Sequence, residues 1–549
     1  MAAQKRPGRA SNSFIDSSTI QGAKTGWSIG STIASWIFRN RYLREGYDPT
    51  TAESASEAVK AGRDPTPILA VGRQADANRR KKEALRRNPP PLYGSAAWAK
   101  HSELESLRNQ PSERSLQLGS SDKQTLAWNG ESHLLTVAPT RTGKATMQII
   151  PNLLNYKGSS VVLDPKGELY EATGEWRQQH VGPVYCINPF DIGNAPSHGF
   201  NPLEDVHDEH SATKLAEMIY PRTNDDRQRF FDNEAIGLLA PIVYFIAKFA
   251  RKEHRTIATI RDTVSSLGDD FYGLLDAMSD PAMPPFIQNA ANTVKTKTRD
   301  VGQPRLIDSL SQHLRLWDTP GLRKATSRSD IDFKKLKDSP ATVYLILPFD
   351  EIGPFSTFVQ MVFAAALDAM LENRTKPDIP VLFILDEFLS LQPDDRFVSA
   401  LRTHASVGVR LWFFLQDLPT LEQKYPTNWK SFLQAEVKTF FGTDDHYTAD
   451  MVSTWIGDTT VSFTDPSGNT NVGKDGAHYS VSDDVKLSGR RLILPNELMT
   501  FFASHDASQP RNAIHFVRGI PPIRASLTPY FVDTTPPSLN TNPNRHYTL

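Results

Sequence analysis

Eight short runs rich in Val, Leu, Ile and Phe recur along the chain from residue 133 onward, and they constrain its fold more than any other feature. They are HLLTVAP (133–139), SSVVLDP (159–165), PVYCINP (183–189), ATVYLILP (341–348), PVLFILDE (380–387), RLWFFLQD (410–417), EVKTFFGT (436–443) and NAIHFVRG (512–519). Several are almost continuously apolar instead of alternating, which marks strands buried on both faces. Amphipathic helical patterns separate many of them, so the runs predict a mostly parallel α/β sheet. Between 206 and 330 the runs disappear, and helical segments broken at Pro221, Pro281, Pro284, Pro285 and Pro304 replace them. This predicts an all-helical insert at 206–330, with the α/β domain in two parts, 89–205 and 331–535. Residues 461–485 read as a long polar loop of Gly, Ser and Asp, and residues 536–549 as a flexible tail.

Residues 1–88 read as a basic, weakly ordered leader that closes on RRKKEALRRNPPP, where a proline run marks a boundary. Residues 1–100 hold 17 Lys and Arg against 8 Asp and Glu, a net +9, so the rest of a chain of net charge −1 carries −10. A basic head on an acidic body points to an anionic partner, nucleic acid or lipid surface; the plainer alternative is a solvated leader. Cys186 is the sole cysteine, which excludes an intramolecular disulfide and a Cys-rich zinc site and fits a reducing compartment. The histidines show no metal-ligand spacing. No segment offers the roughly 20 apolar residues of a membrane span. The stretch at 235–250 is apolar but carries Pro241 and Lys248, and it reads as a buried helix.

The sharpest local signal is LLTVAPTRTGKATMQIIPNLL (134–154): an apolar strand, a tight loop, Gly143-Lys144, then a helix. This is the order of a phosphate-binding loop. Backbone amides and a helix N-terminus, carrying about +0.5 of an elementary charge, face the phosphates. Gly143 permits close approach, and Lys144 reaches the β- and γ-phosphates. The expected nucleotide contacts are Ala138, Pro139, Thr140, Arg141, Thr142, Gly143, Lys144, Ala145 and Thr146. Two positions depart from the usual loop: Ala138 replaces the first glycine, and Ala145 replaces the metal-binding hydroxyl residue, leaving Thr146 one place late. Arg141 either contacts phosphate or points to solvent.

VLFILDEF (381–388) ends an apolar strand on Asp386-Glu387. Carboxylates at the C-terminal end of a parallel strand stand where ligands bind. Asp386, with Thr146, is expected to hold Mg²⁺, and Glu387 to polarise the attacking water. Gln416, at the end of RLWFFLQ, is expected to touch the γ-phosphate or its water. Asp164 ends another strand, and Lys166-Gly167 opens a helix at the same edge. The predicted ligands are ATP and Mg²⁺, with Lys144, Glu387 and Gln416 as the catalytic set.

These motifs, with LYGSAAWAKHSELE, SSVVLDPKGELYEATGEWR, VYCINPFD, FNPL, LQDLPTLEQKY, TFFGTDDHYTADMVSTWIG, GRRLILPNELM and FVRGIPPIRA, span about 92 to 533. In that order they resemble the TraG/TraD-like coupling ATPases of conjugative type IV secretion systems. The resemblance implies a RecA-like P-loop domain with an inserted all-helical domain. It implies ATP hydrolysis and assembly into a homo-hexamer. It also implies recruitment of single-stranded DNA with its relaxase, or of secreted proteins, to the secretion channel. Family members carry N-terminal membrane helices that are not evident here. The expectation is a cytoplasmic protein, peripheral at the bacterial inner membrane, with a separate protein as anchor or the basic leader on anionic lipid. An arginine from the adjacent subunit is expected to complete the site, from among Arg402, Arg410, Arg490 and Arg491. Two other readings remain open: a nucleotide-gated adaptor that selects protein substrates, and a DNA-binding scaffold with a vestigial nucleotide site.

Overall fold

A computed structural model describes residues 30–108, 112–222, 226–266, 269–297, 302–473, 476–503 and 509–532. All eight apolar runs are strands. In chain order the strands are β1 (Leu116–Ser121), β2 (Gln124–Trp128), β3 (Leu134–Val137), β4 (Ser160–Asp164), β5 (Val184–Ile187), β6 (Thr342–Ile346), β7 (Val381–Leu385), β8 (Val409–Leu415), β9 (Val437–Phe441), β10 (Asp458–Gly473), β11 (Gly476–Arg491), β12 (Arg511–Val517) and β13 (Ile523–Leu527). The chain divides into two units: residues 96–456 with 492–549, and residues 1–95 with 457–491.

The larger unit is built on one 11-stranded sheet in the order β2-β1-β13-β12-β9-β3-β8-β7-β4-β6-β5. From β9 to β5 every neighbouring pair is parallel. From β2 to β9 the pairs are antiparallel. Strands β3, β4, β6, β7 and β8 are buried along their whole length. Successive residues feed opposite layers, as a strand's period of two requires. Val161, Leu163 and Phe413 join one core, while Val162, Trp412 and Phe414 join the other. This is the RecA-like α/β arrangement, and it sets the C-terminal ends of β3, β8, β7 and β4 side by side.

Between β5 and β6 all regular elements are helical, from Glu209–Ile219 to Pro320–Ala325. The helix Asp226–Phe249 is the one among the described residues long and apolar enough to cross a membrane. Its middle, Ala235, Ile236, Leu238, Leu239, Ile242, Val243 and Ile246, is buried in the core, as expected for 235–250.

The smaller unit contains helices at Gly30–Arg44, Pro49–Lys60 and Thr66–Arg87. Asp48 caps the second of these, accepting from the amides of Thr50 and Thr51. The apolar cluster here is small: Tyr42, Tyr47, Ala52 and Ala55. The segment expected as a polar loop at 461–485 is instead a two-stranded antiparallel sheet, with β10 and β11 in register from Asp458↔Arg491 to Gly473↔Gly476. Its ladder rests on backbone pairing of Thr-, Ser- and Val-rich strands, which an apolar-run criterion cannot detect. Two strands alone are marginal. Here Lys82 Nζ reaches Asp484 Oδ1 at 3.0 Å and Arg86 Nη2 donates to Thr464 Oγ1 at 3.0 Å, so the third helix braces them.

One buried cation ties the sheet to its cover. Arg177, on the helix Glu168–His180, is fully buried and has no carboxylate partner among the described residues. It donates to Thr342 Oγ1 at 2.6 Å and to the carbonyls of Leu153, Tyr156 and Gly158 at 2.7, 2.8 and 2.7 Å. Arg177→Met keeps the apolar stem but strands these acceptors, each costing about 1–3 kcal/mol when buried unpaired. We expect a loss of at least about 3 kcal/mol, read as a lower urea midpoint with the denaturant slope unchanged.

Candidate functional site

The loop after β3 begins by extending the sheet: the Ala138 amide donates to the Leu415 carbonyl at 2.9 Å. It then turns through two left-handed residues, Arg141 at φ +61° and Gly143 at φ +91°. Thr142 Oγ1 donates back to the Pro139 carbonyl at 2.6 Å and closes the turn. At Gly143 a Cβ would lie 3.1 Å from Thr146 Oγ1, so both backbone conformation and space favour glycine.

The helix that follows opens with a π-helical segment, Ala145–Ile149, in which the Ile150 amide bonds to the Ala145 carbonyl. Pro151 explains the widening, because it has no N–H to offer the carbonyl four residues back. A buried network lies beneath. Trp412 Nε1 donates to Thr136 Oγ1 at 3.0 Å, and Thr136 Oγ1 donates to Gln148 Oε1 at 3.0 Å. The first turn also receives the Tyr530 amide at the Thr146 carbonyl, 3.0 Å away. Sequence reading did not identify these supports; the signal was a polar residue inside an apolar run, Thr136 in LLTV and Gln148 in TMQII.

Lys144 points back over the loop. Its Nζ donates to the Ala138 carbonyl at 3.0 Å and lies 3.6 Å from Glu387 Oε1. The two side chains are 7% and 14% exposed, so the pair is largely withdrawn from water. Glu387 follows β7 in a left-handed conformation, φ +52°. Its other oxygen, Oε2, accepts from Gln416 Nε2 at 2.8 Å. Three strand ends, those of β3, β7 and β8, thus meet around one carboxylate.

Asp386 sits beside this pair; the residue is partly buried, and its Oδ1 is withdrawn from water and has no hydrogen-bond partner among the described residues. Burial, reinforced by the Glu387 charge and opposed by Lys144, raises its carboxyl from near 3.8 to about 7. Asp164, at the end of β4, is raised to about 7 by burial, against hydrogen bonds from backbone amides such as Tyr170 N at 2.8 Å. An orphaned, buried carboxylate oxygen at the edge of a phosphate loop is a fitting ligand for a divalent cation. Thr146 fits less directly, since its hydroxyl donates to the Gly143 carbonyl at 3.3 Å and Ala145 carries none.

These groups line one cleft of 480 Å³. Its walls include Pro139, Thr140, Arg141, Gly143, Lys144, Ala145 and Thr146 on the loop side, with Asp386 and Glu387 opposite. Ala138 and Thr142 lie beneath, buried in the loop. Gln416 reaches the cleft through Glu387. The segment after β4 adds Asp164, Pro165, Lys166, Glu168 and Leu169, of which sequence reading had singled out only Asp164 and Lys166.

The four arginines separate clearly. Arg410 is fully buried at the start of β8, the sheet edge opposite Gln416. Its guanidinium donates to the Arg114 carbonyl at 2.6 Å and lies 5.0 Å from the Trp128 ring centroid. It is therefore a core residue and is withdrawn from the trans-acting set. Arg402 is partly exposed, with Nη2 3.3 Å from Ser431 Oγ. Arg490 and Arg491 lie on β11 in the smaller unit.

Comparison with known proteins gives a consistent picture. The family described as Type IV secretory system Conjugative DNA transfer matches residues 95–547. Protein VirD4 of Rhizobium radiobacter is 27% identical over 422 residues, covering 74% of this chain and 58% of the relative. The chain thus spans less than two thirds of that relative's length. Conjugal transfer protein TraG of Escherichia coli is 24% identical over 500 residues, covering 80% of this chain and 77% of the relative. Among solved structures, the unbound bacterial conjugative coupling protein TrwBdeltaN70 superposes with a TM-score of 0.58 at 15% identity, covering 79% of this chain and 92% of that one. TrwB has also been solved with ADP and Mg²⁺, with a TM-score of 0.56 to this chain.

The raised Asp386 carboxyl has a definite consequence for stability. A carboxyl whose folded-state value exceeds its unfolded one binds more protons in the folded state, so its burial costs increasingly more as pH rises from about 4 to about 7. Asp386→Asn removes that ionisation. The variant should gain stability over wild type at pH 8 by roughly 2–4 kcal/mol more than at pH 5, read from thermal midpoints at both pH values. An equal difference at both would mean that Asp386 ionises normally.

Proposed function

The chain belongs to the Type IV secretory system Conjugative DNA transfer family, and from that membership we propose that it is an ATP-hydrolysing coupling protein. It recruits single-stranded DNA with its relaxase, or secreted protein substrates, to a type IV secretion channel and drives their transfer. One observation carries the reading: Lys144 Nζ lies 3.6 Å from Glu387 Oε1 while Gln416 holds Oε2, all at one cleft.

When nucleotide enters, Lys144 turns from Glu387 and the Ala138 carbonyl to the phosphate oxygens, joined by the amides of residues 140 to 144. That frees Glu387 to accept a proton from water as the water oxygen bonds to the γ-phosphorus. The bond to the leaving oxygen breaks, giving ADP and phosphate. Gln416, tied to Glu387, senses the loss of the γ-phosphate. Mg²⁺, when bound, supplies charge neutralisation between the phosphates; Asp386 and Thr146 are the residues that would hold it. TrwB, solved with ADP and Mg²⁺, supports a nucleotide and a divalent cation as the groups this cleft takes.

The working form is a homo-hexamer, in which an arginine of the adjacent subunit completes the site; Arg402, Arg490 and Arg491 remain as candidates. It acts on the cytoplasmic side of the bacterial inner membrane, peripherally or through a separate membrane partner.

A second reading, a nucleotide-gated adaptor without translocation, draws on Ala145 and on the Thr146 hydroxyl being bonded to Gly143 O at 3.3 Å. Both weaken the expected metal contact. ATP turnover measured against protein concentration, with and without single-stranded DNA, separates the two. Translocation predicts turnover that rises with assembly and with DNA, and a Lys144→Ala variant reduced at least ~100-fold with its fold intact. Nucleotide binding without turnover would favour the adaptor, and full activity in a DNA-indifferent monomer would contradict a translocase.

A further inference from the structure

The segment after β4 contributes a cation to the cleft that the proposed chemistry has not used. Only Arg141, Lys144 and Lys166 among the lining residues carry positive charge. Arg141 and Lys144 belong to the loop after β3. Lys166 comes from the opposite flank, because the sheet order β3-β8-β7-β4 places the end of β4 beyond the acidic pair that follows β7.

The turn that presents Lys166 is firmly held. Gly167 adopts φ +74°, reversing the chain immediately before the helix Glu168–His180. The buried carboxylate of Asp164 accepts from the Tyr170 amide at 2.8 Å and so fixes both ends of the turn. Lys166 itself is exposed and forms no ion pair among the described residues. Its ammonium is thus uncommitted, whereas that of Lys144 is bonded to Ala138 O and faces Glu387. A lysine on a braced turn, next to a helix N-terminus and lining the same cleft as the phosphate loop, is set to meet an anion that enters there.

Position decides which part of the nucleotide it meets. The loop after β3 cradles the phosphates nearer the leaving group. The terminal phosphate must lie against Glu387 for its water to be deprotonated, and the end of β4 is on the far side of that residue's strand from β3. We propose that Lys166 is a second phosphate-contacting cation, specific for the terminal phosphate of a nucleoside triphosphate, with Asp164 as the residue that positions it. This rests on the reading of the cleft as an ATP site. The lysine stabilises charge on the transferring phosphoryl group from within the same subunit; no proton or bond is added to the reaction.

The test compares ATP and ADP binding by calorimetry, and kcat and KM, in the full chain, for wild type, Lys166→Met and Lys166→Arg. Lys166 is exposed, so the substitutions leave the core untouched. The expected result is ATP affinity about 10-fold weaker and kcat about 10–100-fold lower in Lys166→Met, with ADP affinity unchanged, and most of the loss recovered in Lys166→Arg. Unchanged ATP affinity and kcat would overturn the proposal. Equal weakening of ATP and ADP would also overturn it, as general attraction or a structural role. A wild-type chain that binds neither nucleotide would overturn the ATP reading itself, and this proposal with it.

Discussion

An ammonium group with little access to water must be balanced by nearby acceptors, and the arrangement around Lys144 follows from that requirement. Its Nζ bonds the Ala138 carbonyl at 3.0 Å and faces Glu387 at 3.6 Å. Glu387 is in turn held by Gln416. These contacts need three strand ends at one sheet edge, which in turn needs β8 inserted between β3 and β7. The fully apolar strands make that order stable by burying both faces, and the polar groups are left to gather where the strands stop. The strain at Glu387, in a left-handed conformation, is of the kind that persists where surroundings over-determine a residue. A phosphate group that displaced Glu387 from Lys144 would exchange one charge-assisted contact for another, so the ion pair preforms the site at little cost.

How much of this was legible in the chain depends on what each signal measures. Continuous apolar runs report burial on two faces, so every parallel strand was identified, along with β12. They say nothing about strands that face solvent on one side. LQLGSS, QTLAW and IRASL became β1, β2 and β13 without being anticipated, because short alternating segments with Gly, Ser and Gln resemble loops. The paired strands β10 and β11 were read as a loop for a similar reason: their order comes from backbone ladders and from Lys82 and Arg86, none of which leaves an apolar trace.

The site was more transparent than the fold around it. Asp386, Glu387, Gln416 and Asp164 all terminate apolar runs, and ends of parallel strands converge by construction. Arg410 shows the same rule in reverse. It begins its run, so it lies at the far edge, stacked on Trp128 in the core. Position within RLWFFLQ already carried that information. What sequence could not carry was depth: the burial that lifts Asp386 and Asp164 to about 7 depends on layers supplied by distant segments. The braced turn at Lys166 rests on a local contact that spacing alone does not reveal, Asp164 accepting from the Tyr170 amide in the first turn of the helix that follows.

In the proposed ATPase, the Lys144–Glu387 contact holds the place of a nucleotide's phosphates. A structure of the full chain with a non-hydrolysable ATP analogue tests it most directly. The triphosphate is expected between the loop after β3 and the end of β7, with Lys144 Nζ moved from Glu387 to phosphate oxygens. An analogue bound elsewhere, with Lys144 still against Glu387, would contradict it.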